Sequence, residues 1–350
     1  MSQTRRKFMK LAATAGTAPL IARAAAASEL RAEESTAAAT ISAKSQSEPA
    51  NAEKILALFD ALPGDKAVKI VAPAAGGKPE FKVEMNTAKQ MFVGSAIKTF
   101  ILAEALRQAD SPNVVRTLTT QKLTLDASVW SADSATFNPP NLIGSVSLRT
   151  ALEAMILHSD NTGTDMSLKH VGPDNVRNFI ASAGLKSTEA PDSTRIFFGY
   201  LMGAKDYKTF TWDELAAATG NMVNRPLNNV ETLASSADDL ISYYSRALHG
   251  EFFKNKETLA EFRRILSLGD AIWLLPLPLG GTAFCKGGSI DVAGFHALCA
   301  PGGMLFGDRW VYFALIHNWY SKEETDPKTV MEFAKAGSQA MTMVKEIVTA

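Results

Sequence analysis

The sequence predicts an α+β fold in which both ends of the chain build one antiparallel sheet and a helical lobe is inserted between them. Three observations support this prediction. Strand-like segments lie near both ends, the residues from about 92 to 268 read mostly as helices, and an amphipathic helix closes the chain. We expect helices to cover the sheet and the active site to lie in the cleft between the two lobes.

The predicted fold begins with a helix at Ala52, which ends at Pro63-Gly64. Its apolar face consists of residues at helical spacing, namely Ile55, Leu58, Phe59 and Leu62. Two strands follow this helix. Residues 67–72 are nearly all apolar, and residues 81–85 alternate between apolar and charged side chains.

Strands return at the C-terminal end, at residues 282–285, 295–299 and 310–319. The last helix opens at Pro327, a residue type favoured in the first helical turn. Cys285 and Cys299 lie on these strands. Two cysteines are too few for a scaffold built from disulfides, and the sequence leaves open whether they pair or are separate buried thiols.

Residues 1–26 are predicted to be a signal peptide for twin-arginine export. Arg5-Arg6 precedes a short apolar stretch and then small residues that offer a cleavage site. We therefore expect a periplasmic or secreted protein. Residues 27–50, rich in Ala, Ser and Glu without periodicity, predict a flexible linker, and residues 51–350 predict one domain whose helical lobe spans about 91–270.

The composition excludes several classes of partner. Lysine plus arginine and aspartate plus glutamate balance at 36 each, so a nucleic acid is not expected. No run after the signal reaches the roughly 18 apolar residues of a membrane span. The five histidines lack the spacing of a metal site, and we expect neither a metal nor another cofactor. The prediction is a monomer that acts on a small molecule.

Ser95 and Lys98 form the first of three motifs that carry chemistry. Gly94 precedes them and an apolar stretch follows, which places Ser95 at the N-terminus of a buried helix with Lys98 one turn later on the same face. Burial lowers the pKa of a lysine, so its neutral amine can take the serine proton. Taken alone, the motif would favour a capping serine beside a lysine whose charge reaches solvent.

The second motif, Ser159-Asp160-Asn161, starts another helix. It is either a common N-cap sequence or a functional group in which Ser159 relays a proton and Asn161 donates to a substrate carbonyl. In the functional interpretation, Asp160 fixes the turn between the two helices.

The third motif, Lys286-Gly287-Gly288, ends a strand. Glycines there let a substrate backbone approach the strand edge, and Lys286 then meets a carboxylate or tunes the relay serine. The backbone N–H groups of Ser289 and Ser95 are predicted to form an oxyanion hole. A strand that ends in a glycine turn is the alternative for this motif alone.

In this order and context, the three motifs resemble the serine β-lactamase and penicillin-binding protein superfamily, and class A β-lactamase-like enzymes most closely. The resemblance covers about residues 52–350. It implies the β-lactamase/transpeptidase-like fold and an acyl-enzyme on Ser95, formed from a β-lactam or a related amide or ester. Lys98 is then the base, Ser159 the proton relay and Lys286 the carboxylate anchor. The implied substrate-binding residues are Asn161, Gly287, Gly288 and Ser289.

The sequence departs from class A enzymes on the loop that frees the acyl-enzyme. No Glu-x-x-Leu-Asn motif occurs there, and counting from Ser159 puts Thr194 or Arg195 near the place of the missing glutamate. Glu189 and Asp192 are nearby carboxylates. One of them either positions the deacylating water or belongs to a turn, and the turn is the preferred interpretation.

Three functions stay open at this point. They are a β-lactamase-like hydrolase with altered deacylation, a cell-wall peptidase or esterase, and a penicillin-binding protein that stays acylated. A group of aromatic residues follows the loop, and we expect them to pack the lobe rather than to form a ligand site: Phe197, Phe198, Tyr200, Phe210 and Trp212.

Overall fold

The computed structural model describes residues 48–218, 220–270, 275 and 277–350. The predicted export signal and the predicted linker up to residue 47 lie outside the described residues. Among the residues described, no helix has the length and apolarity needed to cross a membrane.

Both ends of the chain contribute strands to the central sheet, as predicted. The strands are β1 Asp65–Ala72, β2 Phe81–Met85, β3 Met91–Phe92, β4 Lys122–Leu125, β5 Gly144–Ser147, β6 Ala234–Ser235, β7 Thr282–Cys285, β8 Gly288–Val292, β9 Phe295–Phe306 and β10 Arg309–Trp319. The central sheet has the order β2-β1-β10-β9-β7, and β8 also pairs with β9. All of these pairs are antiparallel. Two short pairs, β3 with β6 and β4 with β5, lie outside this sheet.

The edge of the sheet is interrupted between β7 and β8. Lys286 and Gly287 leave the ladder opposite the part of β9 that contains Pro301, a residue without an N–H to donate. The Gly287 N–H instead donates to Asp270 Oδ1 at 2.9 Å. This break allows the Lys286 side chain to turn from the sheet into the cleft.

Helices cover both faces of the sheet. They are α1 Glu48–Asp60, α2 Lys98–Gln108, α3 Val114–Thr120, α4 Leu148–Leu157, α5 Asn161–Val171, α6 Pro173–Ser182, α7 Thr194–Leu201, α8 Trp212–Ala217, α9 Ala237–Ala247, α10 Lys256–Leu266 and α11 Pro327–Thr349. Helices α1 and α11 pack against one face through residues such as Ile55, Phe59 and Phe333. Helix α1 begins at Glu48, so the end of the predicted linker belongs to it.

The other face carries the helical lobe, whose centre is α2. Every residue from Lys98 to Leu106 is buried, because α4, α5, α6 and α10 surround this helix. A short 3₁₀ turn, Gly94–Ile97, leads into α2 and contacts β8 and β9. The fold therefore brings the start of its most buried helix to the interrupted edge of the sheet, as the predicted cleft between the lobes requires.

Cys285 and Cys299 are both buried thiols. Cys285 packs in the apolar cluster under α1 and α11, whereas Cys299 packs in the cluster of the helical lobe. The two side chains thus belong to opposite faces of the sheet, which answers the pairing question that the sequence left open.

Candidate active site

Ser95 lies in the 3₁₀ turn before α2, and not in the helix itself. Its side chain is partly exposed and lines a cavity between the helical lobe and β8. The turn places the hydroxyl at the N-terminal end of a buried helix, where the helix dipole favours negative charge. This is the environment that the sequence predicts for a nucleophile.

Two glycines allow the backbone at Ser95 to touch the backbone of β8. Gly94 has φ +53°, and a Cβ there would lie 2.9 Å from the N and O atoms of Ser289. A Cβ on Gly288 would lie 2.0 Å from Val93 O and 2.8 Å from Ser95 N. Side chains would separate the two segments, so the glycines allow the backbones around Ser95 and Ser289 to pack closely where an oxyanion hole is predicted.

The Lys98 ammonium is buried and bonded to three acceptors. Its Nζ donates to Ser159 O, to Ser159 Oγ at 3.1 Å and to Asn161 Oδ1 at 2.7 Å. Within the described chain, no hydrogen bond joins it to Ser95 Oγ. Burial, and then the positive charge of Lys286, lower the pKa of Lys98 to about 7. A neutral Lys98 keeps two N–H donors and gains a lone pair that can accept the Ser95 proton.

Ser159 connects the two lysines. Its Oγ accepts from Lys98 Nζ at 3.1 Å and from Lys286 Nζ at 3.2 Å. A hydroxyl oxygen has two lone pairs, so its own O–H is left to donate to a third group. Ser159 also has a left-handed backbone, with φ +56°, which is uncommon outside glycine and is found where surrounding structure enforces it.

Asp160 holds this strained turn in place. Its Oδ1 accepts from Gly163 N at 2.8 Å and caps α5, while Oδ2 accepts from Thr136 N at 2.8 Å and Phe137 N at 3.0 Å. The motif is therefore an N-cap, and the same turn places the Ser159 hydroxyl between Lys98 and Lys286.

Lys286 has a partner that the sequence does not predict. Its Nζ donates to Asp270 Oδ2 at 2.7 Å and to Gly287 O at 2.7 Å, in addition to Ser159 Oγ. Its side chain is fully buried, and these three acceptors match its three N–H donors. The geometry therefore favours the tuning role of Lys286 over an open anchor for a substrate carboxylate. Gly287 likewise directs its N–H to Asp270 and its carbonyl to Lys286.

Asn161 connects Lys98 to the wall of the cavity. Besides accepting from Lys98, it donates from Nδ2 to Ala132 O at 3.0 Å, and its side chain lines the cavity beside Ser95. One N–H of its amide stays available for a substrate carbonyl.

Thr194 occupies the position on the loop where a class A enzyme is expected to have its glutamate. It is buried, lines the cavity with Ser95, and begins α7. Asp165 Oδ1 accepts from the Thr194 N–H at 2.7 Å and from its Oγ1 at 2.8 Å. Of the two residues that counting along the sequence left open, Thr194 rather than Arg195 lines the cavity.

The structure does not bring Glu189 or Asp192 to the cavity. Glu189 is exposed, pairs in a β-bridge with Ala234 and accepts from Gln90 Nε2 at 2.9 Å. Asp192 forms ion pairs with Arg177 at 2.9 Å and Lys208 at 3.7 Å. The preferred interpretation of this segment as a turn agrees with the geometry, although Ser193, rather than Asp192, caps α7.

Asp133 is a cavity residue that the sequence reasoning missed. It lines the cavity with Ser95 and has φ +56°. Burial raises the pKa of Asp133 to about 6, against the opposing charge of Lys98. No sequence motif marks this residue. Its left-handed backbone is typical of functional positions, but that conformation is visible only in the structure.

The aromatic residues after the loop divide into two groups. Tyr200 stacks edge-on against Tyr207, and Trp212 against Trp130, so these residues pack the lobe as expected. Phe197 and Phe198 also pack in the apolar cluster of the lobe, and both line the cavity beside Ser95.

Comparison with known proteins gives a family and a fold. A family model described as the beta-lactamase enzyme family matches residues 50–270. A search of curated protein sequences found no match.

Several solved structures have a similar fold. TLA-1 extended-spectrum β-lactamase matches with a TM-score of 0.65 and 16% identity, over 87% of this chain and 100% of its own. PBP-A matches with a TM-score of 0.62 and 16% identity, over 86% of this chain and 96% of its own. A class A β-lactamase from Bacteroides cellulosilyticus DSM 14838 matches with a TM-score of 0.64 and 17% identity, over 86% of this chain and 99% of its own. At these identities the likeness extends to the fold alone.

Proposed function

The chain belongs to the β-lactamase enzyme family, and on that basis we propose that it is an exported serine hydrolase that forms an acyl-enzyme on Ser95. The substrates are β-lactams or related amides and esters. One observation carries the proposal: a buried Lys98, one turn after Ser95, shares the Ser159 hydroxyl with a second lysine, Lys286, and glycines allow the backbones around Ser95 and Ser289 to pack closely.

Acylation uses the neutral form of Lys98. The amine accepts the Ser95 proton while Ser95 Oγ attacks the substrate carbonyl carbon, and the N–H groups of Ser95 and Ser289 stabilise the oxyanion. Because burial lowers the pKa of Lys98 to about 7, a substantial fraction of the amine is neutral at physiological pH.

Ser159 delivers the proton to the leaving group. Two lysine donors occupy its oxygen, which directs its O–H away from both of them. The leaving amine or alkoxide takes that proton, and Lys98 returns a proton to Ser159. Lys286, held in place by its ion pair with Asp270, supports this step by fixing the Ser159 oxygen and by disfavouring a second positive charge on Lys98.

Release of the acyl group is slow in this proposal. The residue at the start of α7 is Thr194, whose hydroxyl is bonded to Asp165 Oδ1 and Ser131 Oγ, and it cannot act as a carboxylate base. The second candidate function, a penicillin-binding protein that remains acylated, is favoured by this same observation. The three N–H donors of Lys286 already have acceptors within the protein, so none is left to anchor a substrate carboxylate. This favours the alternative of a cell-wall peptidase or esterase whose substrate needs no such anchor.

Export through the twin-arginine route to the periplasm or beyond belongs to the proposal and rests on Arg5-Arg6 and the small residues that follow the apolar stretch. Periplasmic fractionation of the full chain tests it. The double variant Arg5→Lys with Arg6→Lys keeps the positive charge but removes the arginine pair, and it should leave the chain in the cytoplasm. Export that persists in this variant would argue for a different route.

A chromogenic penicillin and a p-nitrophenyl ester test the proposed chemistry. We expect both to acylate Ser95, with a burst of product equal to the enzyme concentration followed by slow turnover. Ser95→Ala should abolish the burst for both substrates. A Ser95→Ala variant that retains the burst would contradict the assignment of the nucleophile.

A further inference from the structure

The Lys286 ammonium is shielded from solvent, while its partner Asp270 is not. The two groups form an ion pair in which Lys286 Nζ lies 2.7 Å from Asp270 Oδ2. The Lys286 side chain is fully buried, whereas 27% of the Asp270 side chain is exposed. A group that arrives from solvent therefore meets the aspartate carboxylate and not the lysine ammonium.

Asp270 also fixes the backbone where the strand edge is interrupted. Its Oδ1 accepts from Gly287 N at 2.9 Å, and the Gly287 carbonyl accepts from Lys286 Nζ at 2.7 Å. The third N–H of Lys286 points to Ser159 Oγ, at 3.2 Å. Asp270, Gly287 and Lys286 thus form a closed ring of hydrogen bonds that directs the ammonium to the relay serine.

Another basic group on this edge of the sheet is paired with an acid in the same way. His296 is fully buried, and its Nδ1 bonds Asp291 Oδ1 across the pair of strands β8 and β9. Among the described residues that line the cavity beside Ser95, the ionisable side chains are Asp133 and Asp291, and no lysine or arginine is present. A substrate carboxylate bound here would lose its hydration without gaining a cation as partner.

We propose that Asp270 determines the substrate class of this site: because it occupies Lys286, the site selects amides and esters that carry no carboxylate beside the bond that is broken. This inference rests on the proposed function and names its substrate class. Asp270 acts through Lys286 and is a positioning residue. A lysine without this partner would have an N–H free for a substrate carboxylate, and such charge-assisted hydrogen bonds are strong.

Benzylpenicillin and its methyl ester test this preference, since they differ only in the carboxylate beside the lactam nitrogen. In both compounds Ser95 Oγ bonds to the lactam carbonyl carbon, the lactam C–N bond breaks, and the ring nitrogen takes the proton. The measured quantity is the second-order rate constant of Ser95 acylation, followed by intact mass and divided by the alkaline hydrolysis rate of each compound. We expect similar normalised rate constants for the two compounds in the wild-type protein.

Asp270→Ala should raise the ratio of acid to ester by about ten- to a hundredfold, because the freed N–H of Lys286 can bind the substrate carboxylate. Asp270→Asn keeps an acceptor for the Gly287 N–H and should raise the ratio in the same direction, so it serves if Asp270→Ala fails to fold. Asp238→Asn is the matched control. It removes the acid of another lysine–aspartate pair, with 2.6 Å between Lys69 Nζ and Asp238 Oδ1, and Asp238 does not line the cavity.

The pH dependence of acylation separates this role from a merely structural one. Burial lowers the pKa of Lys98 to about 7, and the charge of Asp270 opposes that lowering. Removing the charge therefore lowers this pKa further, and the neutral amine forms at lower pH. Both Asp270 variants should move the midpoint of the acylation rate, measured with the methyl ester, to lower pH, whereas Asp238→Asn should leave it in place.

A wild-type preference for the acid of more than about tenfold, with the adduct mapped to Ser95, would overturn this inference and leave the proposed acyl-enzyme function intact. An unchanged ratio or an unmoved midpoint in the folded Asp270 variants would also overturn it, as would an equal rise of the ratio in Asp238→Asn. The absence of any Ser95 adduct with either compound would overturn both proposals.

Discussion

Two neighbouring regions of the site are built from different kinds of residue. In the first, Lys98, Ser159 and Lys286 form a continuous chain of hydrogen bonds, which Lys98 extends to the cavity residue Asn161. The second is the cavity wall beside Ser95, where α7 begins with Thr194 and presents phenylalanine rings. Under the proposed mechanism, the contrast teaches that the groups that form an acyl-enzyme and those that break it are separable within one fold. The first region supplies the proposed acylation groups, whereas α7 begins with a threonine and not with a carboxylate.

Removing the proposed base should have the largest effect. Lys98→Ala is expected to lower the rate of Ser95 acylation by about 10²–10⁴-fold, the range for loss of a general base. The burst measured by stopped-flow with a chromogenic penicillin checks this. Lys169→Ala is the matched control, since Lys169 bonds the exposed Ser128 hydroxyl outside the site. A normal burst in Lys98→Ala would remove Lys98 from the mechanism.

Forcing the backbones of Gly94 and Ser289 apart at the proposed oxyanion site should have the next largest effect on acylation. Gly94→Ala and Gly307→Ala both place alanine at positive φ, +53° and +60°. Each should lose about 1–2 kcal/mol of unfolding free energy for that reason. Gly94→Ala should lose about a further 1–3 kcal/mol, because its Cβ meets the Ser289 backbone while that of Gly307 meets open space.

Urea unfolding and the acylation burst measure these two effects. Only Gly94→Ala is expected to acylate more slowly than wild type, because only it displaces an oxyanion donor. Equal stability losses and equal burst rates in the two variants would contradict the role assigned to the close backbone contact.

Supplying the absent carboxylate should shorten the life of the acyl-enzyme. Burial raises the pKa of Asp165 to about 6, and this group contacts Thr194, so a glutamate placed there would meet a like charge at neutral pH. The double variant Thr194→Glu with Asp165→Asn avoids that repulsion. We expect its acyl-enzyme to decay at least about tenfold faster, as for an added general base.

Thr194→Gln with Asp165→Asn is the control for this design, since it matches the shape without the charge. Intact mass recorded after removal of excess penicillin gives the decay rate of each adduct. If the adducts of both double variants decay equally fast, the lack of a carboxylate at position 194 is not what limits release of the acyl group.

The pH dependence of acylation should show the smallest effect. The rate is expected to rise through pH 7, because Lys98, with its pKa lowered to about 7 by burial, loses its proton there. Asp133 opposes that lowering, so Asp133→Asn should move the midpoint to lower pH. Asp174→Asn, at an exposed site that pairs with Arg177, should leave the midpoint in place. A midpoint that moves upward in Asp133→Asn would contradict the electrostatic account.

The sequence predicted the parts of this molecule that depend on local pattern. Apolar spacing located α1 and α2, and alternation located β2, because burial of one face imposes these periods. The order of the three motifs predicted the fold, which the structural matches confirm. The same order also led us to expect that Lys98, Ser159 and Lys286 lie together, and they form one hydrogen-bonded group.

Other features depend on contacts between distant segments. Asp270 and Lys286 meet only because the strand edge is interrupted, and Asp133 reaches the cavity through a left-handed turn. Neither residue stands in a pattern that fixes its partner. The same holds for Phe197 and Phe198, whose spacing is equally compatible with packing the lobe and with lining a cavity.

Intact-mass spectrometry over time, with peptide mapping, tests the central claim most directly. The protein is mixed with a penicillin, the excess is removed, and the adduct is followed. We predict one intact penicilloyl group on Ser95 that persists long after the reagent is gone. No adduct on Ser95, or an adduct released as fast as it forms, would contradict the claim that this site forms an acyl-enzyme readily and breaks it slowly.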